Sequence, residues 1–172
     1  MAQNEGDGTR RRRWTDLAGE HPLGDAGQLV LACLFFGAWV VDTFVLGYTT
    51  WLNQIIPLAF RLTLGAALVV VSGYLAAQGL SIVFGKRRQP GLIKRSVFGI
   101  VRHPIYLSEI VLYAGFLVMS ASLLAAVVCG VAVVFLHHIS RYEERLLLAR
   151  FGEAYAQYME EVPMWIPRLW QR

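Results

Sequence analysis

Four runs of apolar residues, each near the length a bilayer demands, constrain this chain more than any other feature. They cover about 29–48, 55–84, 104–119 and 123–139. A helix needs roughly 20 such residues to cross a hydrocarbon core of about 30 Å. Within that core every backbone polar group must be bonded inside the protein, which favours helices for runs of this kind. The expected fold is therefore all-α: a polytopic transmembrane helical bundle of about four spans with a C-terminal amphipathic cytoplasmic helix. With 56% of its 172 residues hydrophobic and 16% charged, the chain lies outside the balance of a soluble domain. Residues 1–24 read as a polar tail, and 25–172 as one membrane-embedded domain.

The charged residues give the orientation. Arg10 to Arg13, then Lys86, Arg87, Arg88, Lys94, Arg95 and Arg102, then the C-terminal segment hold most of the Lys and Arg. Basic loops stay on the cytoplasmic side, so both termini are expected there, with "TTWLNQ" and "SAS" outside. The net charge of +4 is spread over membrane flanks, with no aromatic-interleaved basic face, so no nucleic-acid partner is expected. The lipid bilayer is the expected partner. Cys33 and Cys129 lie within apolar runs without ligand spacing, and adjacent His137 and His138 diverge on a helix, so no metal site is expected. His21 sits in the tail with no partner in helical reach.

Three further expectations concern packing. Gly73, Ala77 and Ser81 recur every four residues and predict a close-packing face on the second span. Asp42 and Arg61 lie at matching depth near the outer ends of the first two spans, and a mutual ion pair would offset the cost of each. Leu147, Phe151, Tyr155, Tyr158 and Val162 predict one amphipathic helix over about 141–162, continuing the fourth span and ended by "VPMWIP".

The chemistry gathers at the cytoplasmic ends of the last two spans. Arg102 and His103 precede Pro104, which suits the first turn of a helix. Tyr106 and Glu109 follow on one face. On the last span Glu144 has Arg141 three residues earlier, which gives it an ordinary surface role. Glu143 has no such neighbour and shares a line with Leu147, Phe151 and Tyr155, so it needs a tertiary partner or a ligand. Arg102, His103, Tyr106, Glu109 and Glu143 form a candidate site at interface depth, although a basic anchor followed by a helix start would show much the same pattern.

At these residues the sequence resembles the integral membrane methyltransferases that include isoprenylcysteine carboxyl methyltransferases and phospholipid N-methyltransferases. The blocks that carry the likeness are "VRHPIYL" (101–107) and "EERLLLARFGEAYAQYMEEVPMWIP" (143–167), and with the hairpin between them they cover 86–167. The resemblance implies a cofactor, S-adenosylmethionine, bound at the cytoplasmic ends of the last two spans under the C-terminal segment. It places His103, Pro104, Ile105, Tyr106 and Glu143 at the cofactor, with Leu92 and Ile93 approaching through their backbone. Where relatives commonly carry Gly-x-Tyr, this chain has Ser96, Val97 and Phe98; where a Gly often follows, it has Ser108.

Methyl transfer from a sulfonium needs little beyond alignment and exclusion of water. Arg102 and Glu109 are the candidate catalytic side chains, Glu109 or His103 as base if the acceptor is an amine. The expected acceptor is hydrophobic or lipid-like, an isoprenoid carboxylate or a phospholipid amine, with a small thiol second. Two other readings compete: an NADPH-dependent enzyme like the sterol reductases, and a non-enzymatic membrane subunit or assembly factor.

Overall fold

The computed structural model describes residues 24–84 and 91–167. The basic run at 10–13, His21 and the charges at 86–88 lie outside them. Five α-helices follow in order: α1 (Gly24–Val40), α2 (Leu58–Phe84), α3 (Pro104–Ser120), α4 (Leu123–Phe151) and α5 (Glu153–Glu161). No strand occurs among the described residues. The protein is an all-helical membrane protein. Three helical stretches, Ala26–Leu46, Leu58–Phe84 and Leu123–Phe151, are long and apolar enough to cross a membrane, while α3 is apolar but shorter. Its 17 residues rise about 26 Å, close to the hydrocarbon thickness.

α4 overshoots in the other direction. Its 29 residues rise about 44 Å, so about two and a half turns at its end project beyond a 30 Å core and begin with Glu143 and Glu144 at the interface. The expected single helix over 141–162 is divided. Gly152, at φ +53°, ends α4 and lets the chain turn into α5.

α2 and α3 lie in close contact along their length, and the face that permits it is not the one expected. A Cβ on Gly65 would stand 2.8 Å from the Gly115 carbonyl oxygen, and one on Gly79 would stand 2.8 Å from Ile105. Between them Ser72 Oγ donates to the Ser108 carbonyl at 2.7 Å. Gly65, Ser72 and Gly79, seven apart, form the buried stripe, whereas Gly73, Ala77 and Ser81 are exposed. α1 packs instead mainly on α4, with Gly27 against the Phe135 ring, while Phe35 stacks on Tyr113 of α3 at 4.2 Å.

The expected Asp42–Arg61 ion pair is not formed. α1 closes in a π-helical turn, Val41–Leu46, which carries buried Asp42. The carboxylate accepts from Thr49 N (3.1 Å), from the Thr49 hydroxyl and from Ser122 Oγ (2.6 Å). Ser122 is the N-cap of α4, so Asp42 sits where the helix dipole favours a negative charge. Arg61 donates to the Asn53 side chain, to Ile56 O (3.1 Å) and to Met119 O (2.6 Å) in the last turn of α3. That end of a helix favours a cation. Each charge therefore answers a helix terminus, and the two termini meet at the Ala121–Ser122 turn.

Candidate active site

Opposite that turn, the Arg-His-Pro stretch enters α3. Pro104 occupies the first helical position, where a missing N–H costs nothing. The two amides before it would then lack partners, and the C-terminal segment supplies them: Arg102 N donates to Pro163 O (2.9 Å) and His103 N to Met164 O (3.3 Å). This strap, residues 162–165, lies along the motif's backbone.

Arg102 secures it. Its Nη1 donates to Met159 O (2.8 Å) and Val162 O (2.6 Å) at the C-terminal end of α5, and its Nε and Nη2 both reach Glu144 Oε1 at 2.7 Å. The guanidinium thus joins three pieces of chain. Four of its five N–H donors are used in these contacts, which position the strap and Glu144, at a residue from which a catalytic role is expected by sequence.

Glu144 corrects the sequence reading. It is 2% exposed, whereas Arg141, its expected surface partner, has a side chain 61% exposed and stands 3.9 Å away. Both glutamates enter the cluster. Glu143 accepts from the Tyr106 hydroxyl and lies 3.7 Å from His103 Nδ1; Glu144 Oε1 lies 3.4 Å from His103 Nε2. The His103 and Tyr106 rings are parallel, with centroids 5.6 Å apart. The structure therefore brings together Arg102, His103, Tyr106 and Glu143, and adds Glu144.

The other candidates fall around this centre. Ile105 packs on Gly79, so it seats α2 against the motif. Leu92 packs with Tyr155, Tyr158 and Val162, together with Leu147, Phe151 and Met159, beneath the strap; Ile93 beside it is half-buried. Burial pushes the Tyr155 and Tyr158 phenols up, so both stay protonated, and Tyr158 donates to Phe98 O at 2.6 Å. Glu109 accepts from Tyr113 one turn further into α3, and no hydrogen bond or ion pair links it to the cluster.

Several buried polar atoms here have no hydrogen-bond partner: His103 Nε2, Ser140 Oγ, Glu144 Oε2 and Trp165 Nε1. They come from the start of α3, from α4 and from the strap. Glu144 also lines a cavity of about 430 Å³ with His137, His138, Arg141, Arg145 and Met159, and the Trp165 ring packs edge-on against His137 at 5.6 Å. That volume suits a small-molecule site. A buried polar atom without a hydrogen bond costs about 1–3 kcal/mol, so Glu144 Oε2 at the cavity wall marks a place for a polar ligand. Ser140 and Trp165 were not found in the sequence; Ser140, four residues before Glu144, is a polar residue that helical spacing alone could have placed on Glu144's face. No group of three His, Cys, Asp or Glu able to hold a metal ion occurs among the described residues.

The profile of one family, phospholipid methyltransferase, matches residues 55–154, from the turn before α2 to the start of α5. The chain belongs to the phospholipid methyltransferase family. The match takes in the motif, both glutamates and the α2–α3 pair, and membership supports a membrane methyltransferase. Among curated relatives, the cobalt-zinc-cadmium resistance protein CzcN of Cupriavidus metallidurans is 29% identical over 166 residues, 90% of this chain and 74% of its own length. Methanethiol S-methyltransferase 2 of Bradyrhizobium diazoefficiens is 33% identical over 99 residues, 58% of this chain. This chain spans 36% of that relative's length. No solved structure matches the chain significantly.

Proposed function

We propose that this protein transfers the methyl group of S-adenosylmethionine to a hydrophobic acceptor at the cytoplasmic membrane interface. The observation that carries the reading is a cavity lined by Glu144, whose buried Oε2 has no hydrogen bond, with three more buried atoms lacking hydrogen bonds, His103 Nε2, Ser140 Oγ and Trp165 Nε1, on the residues around the motif and strap, in a chain of this family. A donor with amino, carboxylate, ribose and purine groups offers partners to all four. The residues present fit it, and when bound it would supply an electrophilic methyl on a sulfonium leaving group.

The chain's own part is to bind, orient and exclude water. Glu144 is held by Arg102 through one oxygen, which leaves Oε2 for a hydroxyl or ammonium. Glu143 fixes the Tyr106 hydroxyl, and Tyr106 keeps the His103 ring parallel to its own. The strap covers the motif, lowering access of water to a reaction that needs alignment more than acid or base. Between α3 and α4 an apolar acceptor can approach from the bilayer while the polar donor comes from the aqueous side. For an amine acceptor, His103 is better placed than Glu109 to take the proton, since Glu109 is turned toward Tyr113.

The acceptor class is tested by supplying radiolabelled S-adenosylmethionine to the reconstituted protein with isoprenoid carboxylates, phosphatidylethanolamine or small thiols. Label should enter a hydrophobic acceptor, and trimming its alkyl chain should lower turnover as well as binding. A small thiol is the second reading, favoured by the methanethiol methyltransferase among the relatives. Efficient labelling of methanethiol, unchanged by a longer alkyl chain, would select it.

A further inference from the structure

A second site lies at the end of the bundle remote from His103. Arg61 is 7% exposed, forms no ion pair among the described residues, and uses Nε and Nη1 on three neutral acceptors, Ile56 O, Asn53 and Met119 O. The dipole at the end of α3 offsets only about half a charge. Among the described residues no hydrogen bond uses Nη2, and Arg61 lines a groove of about 270 Å³. The rest of that groove is apolar, walled by Ile56, Phe60, Leu64, Leu117 and Val118, and Arg61 is the only charged residue lining it among those described.

The depth is informative. Arg61 is three residues into α2, about 5 Å below its first residue. Tyr48 and Trp51, 79% and 53% exposed in the preceding loop, mark the interface, where such rings settle at headgroup level. A residual positive charge just beneath that level, opening into an apolar groove along α2 and α3, matches a molecule with an anionic head and a hydrocarbon tail. We propose that Arg61 binds the phosphate of an anionic phospholipid from the leaflet opposite the His103 cluster, with one acyl chain along Phe60, Leu64, Leu117 and Val118. The planar guanidinium suits a phosphate, which can take both Nη2 hydrogens. The lipid completes the contact between the α1–α2 loop and the end of α3, apart from the methyl-transfer site.

Native mass spectrometry of the full chain, released from micelles holding equal phosphatidylglycerol and phosphatidylcholine of identical chains, tests this. The wild type should retain phosphatidylglycerol preferentially. Arg61→Gln should lower that retention roughly tenfold, as loss of one charge-assisted contact implies. Leu64→Trp, which fills the groove and leaves Arg61 in place, should lower it comparably and decides the matter if the Arg61 variant does not fold. Equal retention of the two lipids by the wild type, undiminished phosphatidylglycerol on Leu64→Trp, or displacement of the lipid by millimolar inorganic phosphate would each overturn the proposal.

Discussion

The two ends of the bundle handle buried charge differently. At the Ala121–Ser122 end, Asp42 is surrounded by neutral donors and Arg61 by neutral acceptors, each beside the helix terminus whose dipole suits its sign. At the other end Arg102 and Glu144 form a direct ion pair, yet Glu144 Oε2, His103 Nε2 and Ser140 Oγ are left without hydrogen bonds. Helix-capping charges hold the chain together wherever the ligand is. Unfinished polar groups need something brought to them. The contrast separates a latch, with Arg61 at its lipid-facing edge, from the proposed methyl-transfer site within one small membrane protein.

Substitution at the pair should have the largest effect. Arg102→Leu leaves Glu144 buried without its cation and releases the strap, and is expected to cost about 3–5 kcal/mol. Thermal unfolding in detergent should show it, and protease cleavage of the C-terminal segment should accelerate. An unchanged melting temperature would mean that the strap is held by something else.

Next is the packing that carries the motif. Gly115→Ala places a methyl 2.9 Å from a Val69 methyl and 3.0 Å from the Gly65 carbonyl oxygen, and should cost about 1–3 kcal/mol. Ala at Gly73, where a Cβ meets nothing within 4 Å, should be neutral or slightly stabilising. The reverse order would restore the stripe at residues 73, 77 and 81.

At the latch, Asp42→Asn should cost about 1–2 kcal/mol through the α4 cap and leave methyl transfer intact. Because Asp42 and Arg61 share no partner, Asp42→Asn and Arg61→Gln should add to within about 0.5 kcal/mol. Mutual rescue in the double variant would show a pair after all.

The lengths of the spans and the residues of the motif were legible in the sequence, since hydropathy and the Arg-His-Pro block are local. Helix neighbours were not. Equal depth suggested an Asp42–Arg61 pair, but α1 packs on α4 and α2 on α3, so each charge meets a different helix end. The surface role given to Glu144 failed for a related reason. The line from Glu143 through Leu147 and Phe151 to Tyr155 assumes one helix, and Gly152 breaks it before Tyr155. The buried side of α4 instead passes through Leu136, Ser140 and Glu144. The departure at residues 96–98 also gains a physical meaning. Ser96 has φ +56°, a backbone that favours the glycine common in relatives. Ser96→Gly should give the smallest effect, a gain of about 1 kcal/mol or less in thermal stability, as relief of strain is partly cancelled by glycine's entropy.

The central claim is that the unfinished polar groups around His103 and Glu144 await a methyl donor. It is tested most directly by equilibrium binding of radiolabelled S-adenosylmethionine and of NADPH to the purified protein in detergent, with Asp42→Asn, Glu143→Gln, Glu144→Gln and Ser140→Ala alongside. S-adenosylmethionine should bind saturably and NADPH should not. Glu143→Gln and Glu144→Gln should both weaken binding, Glu144→Gln roughly tenfold or more, while Asp42→Asn leaves it unchanged. Saturable NADPH binding, or S-adenosylmethionine affinity indifferent to Glu144 and Ser140, would contradict the account.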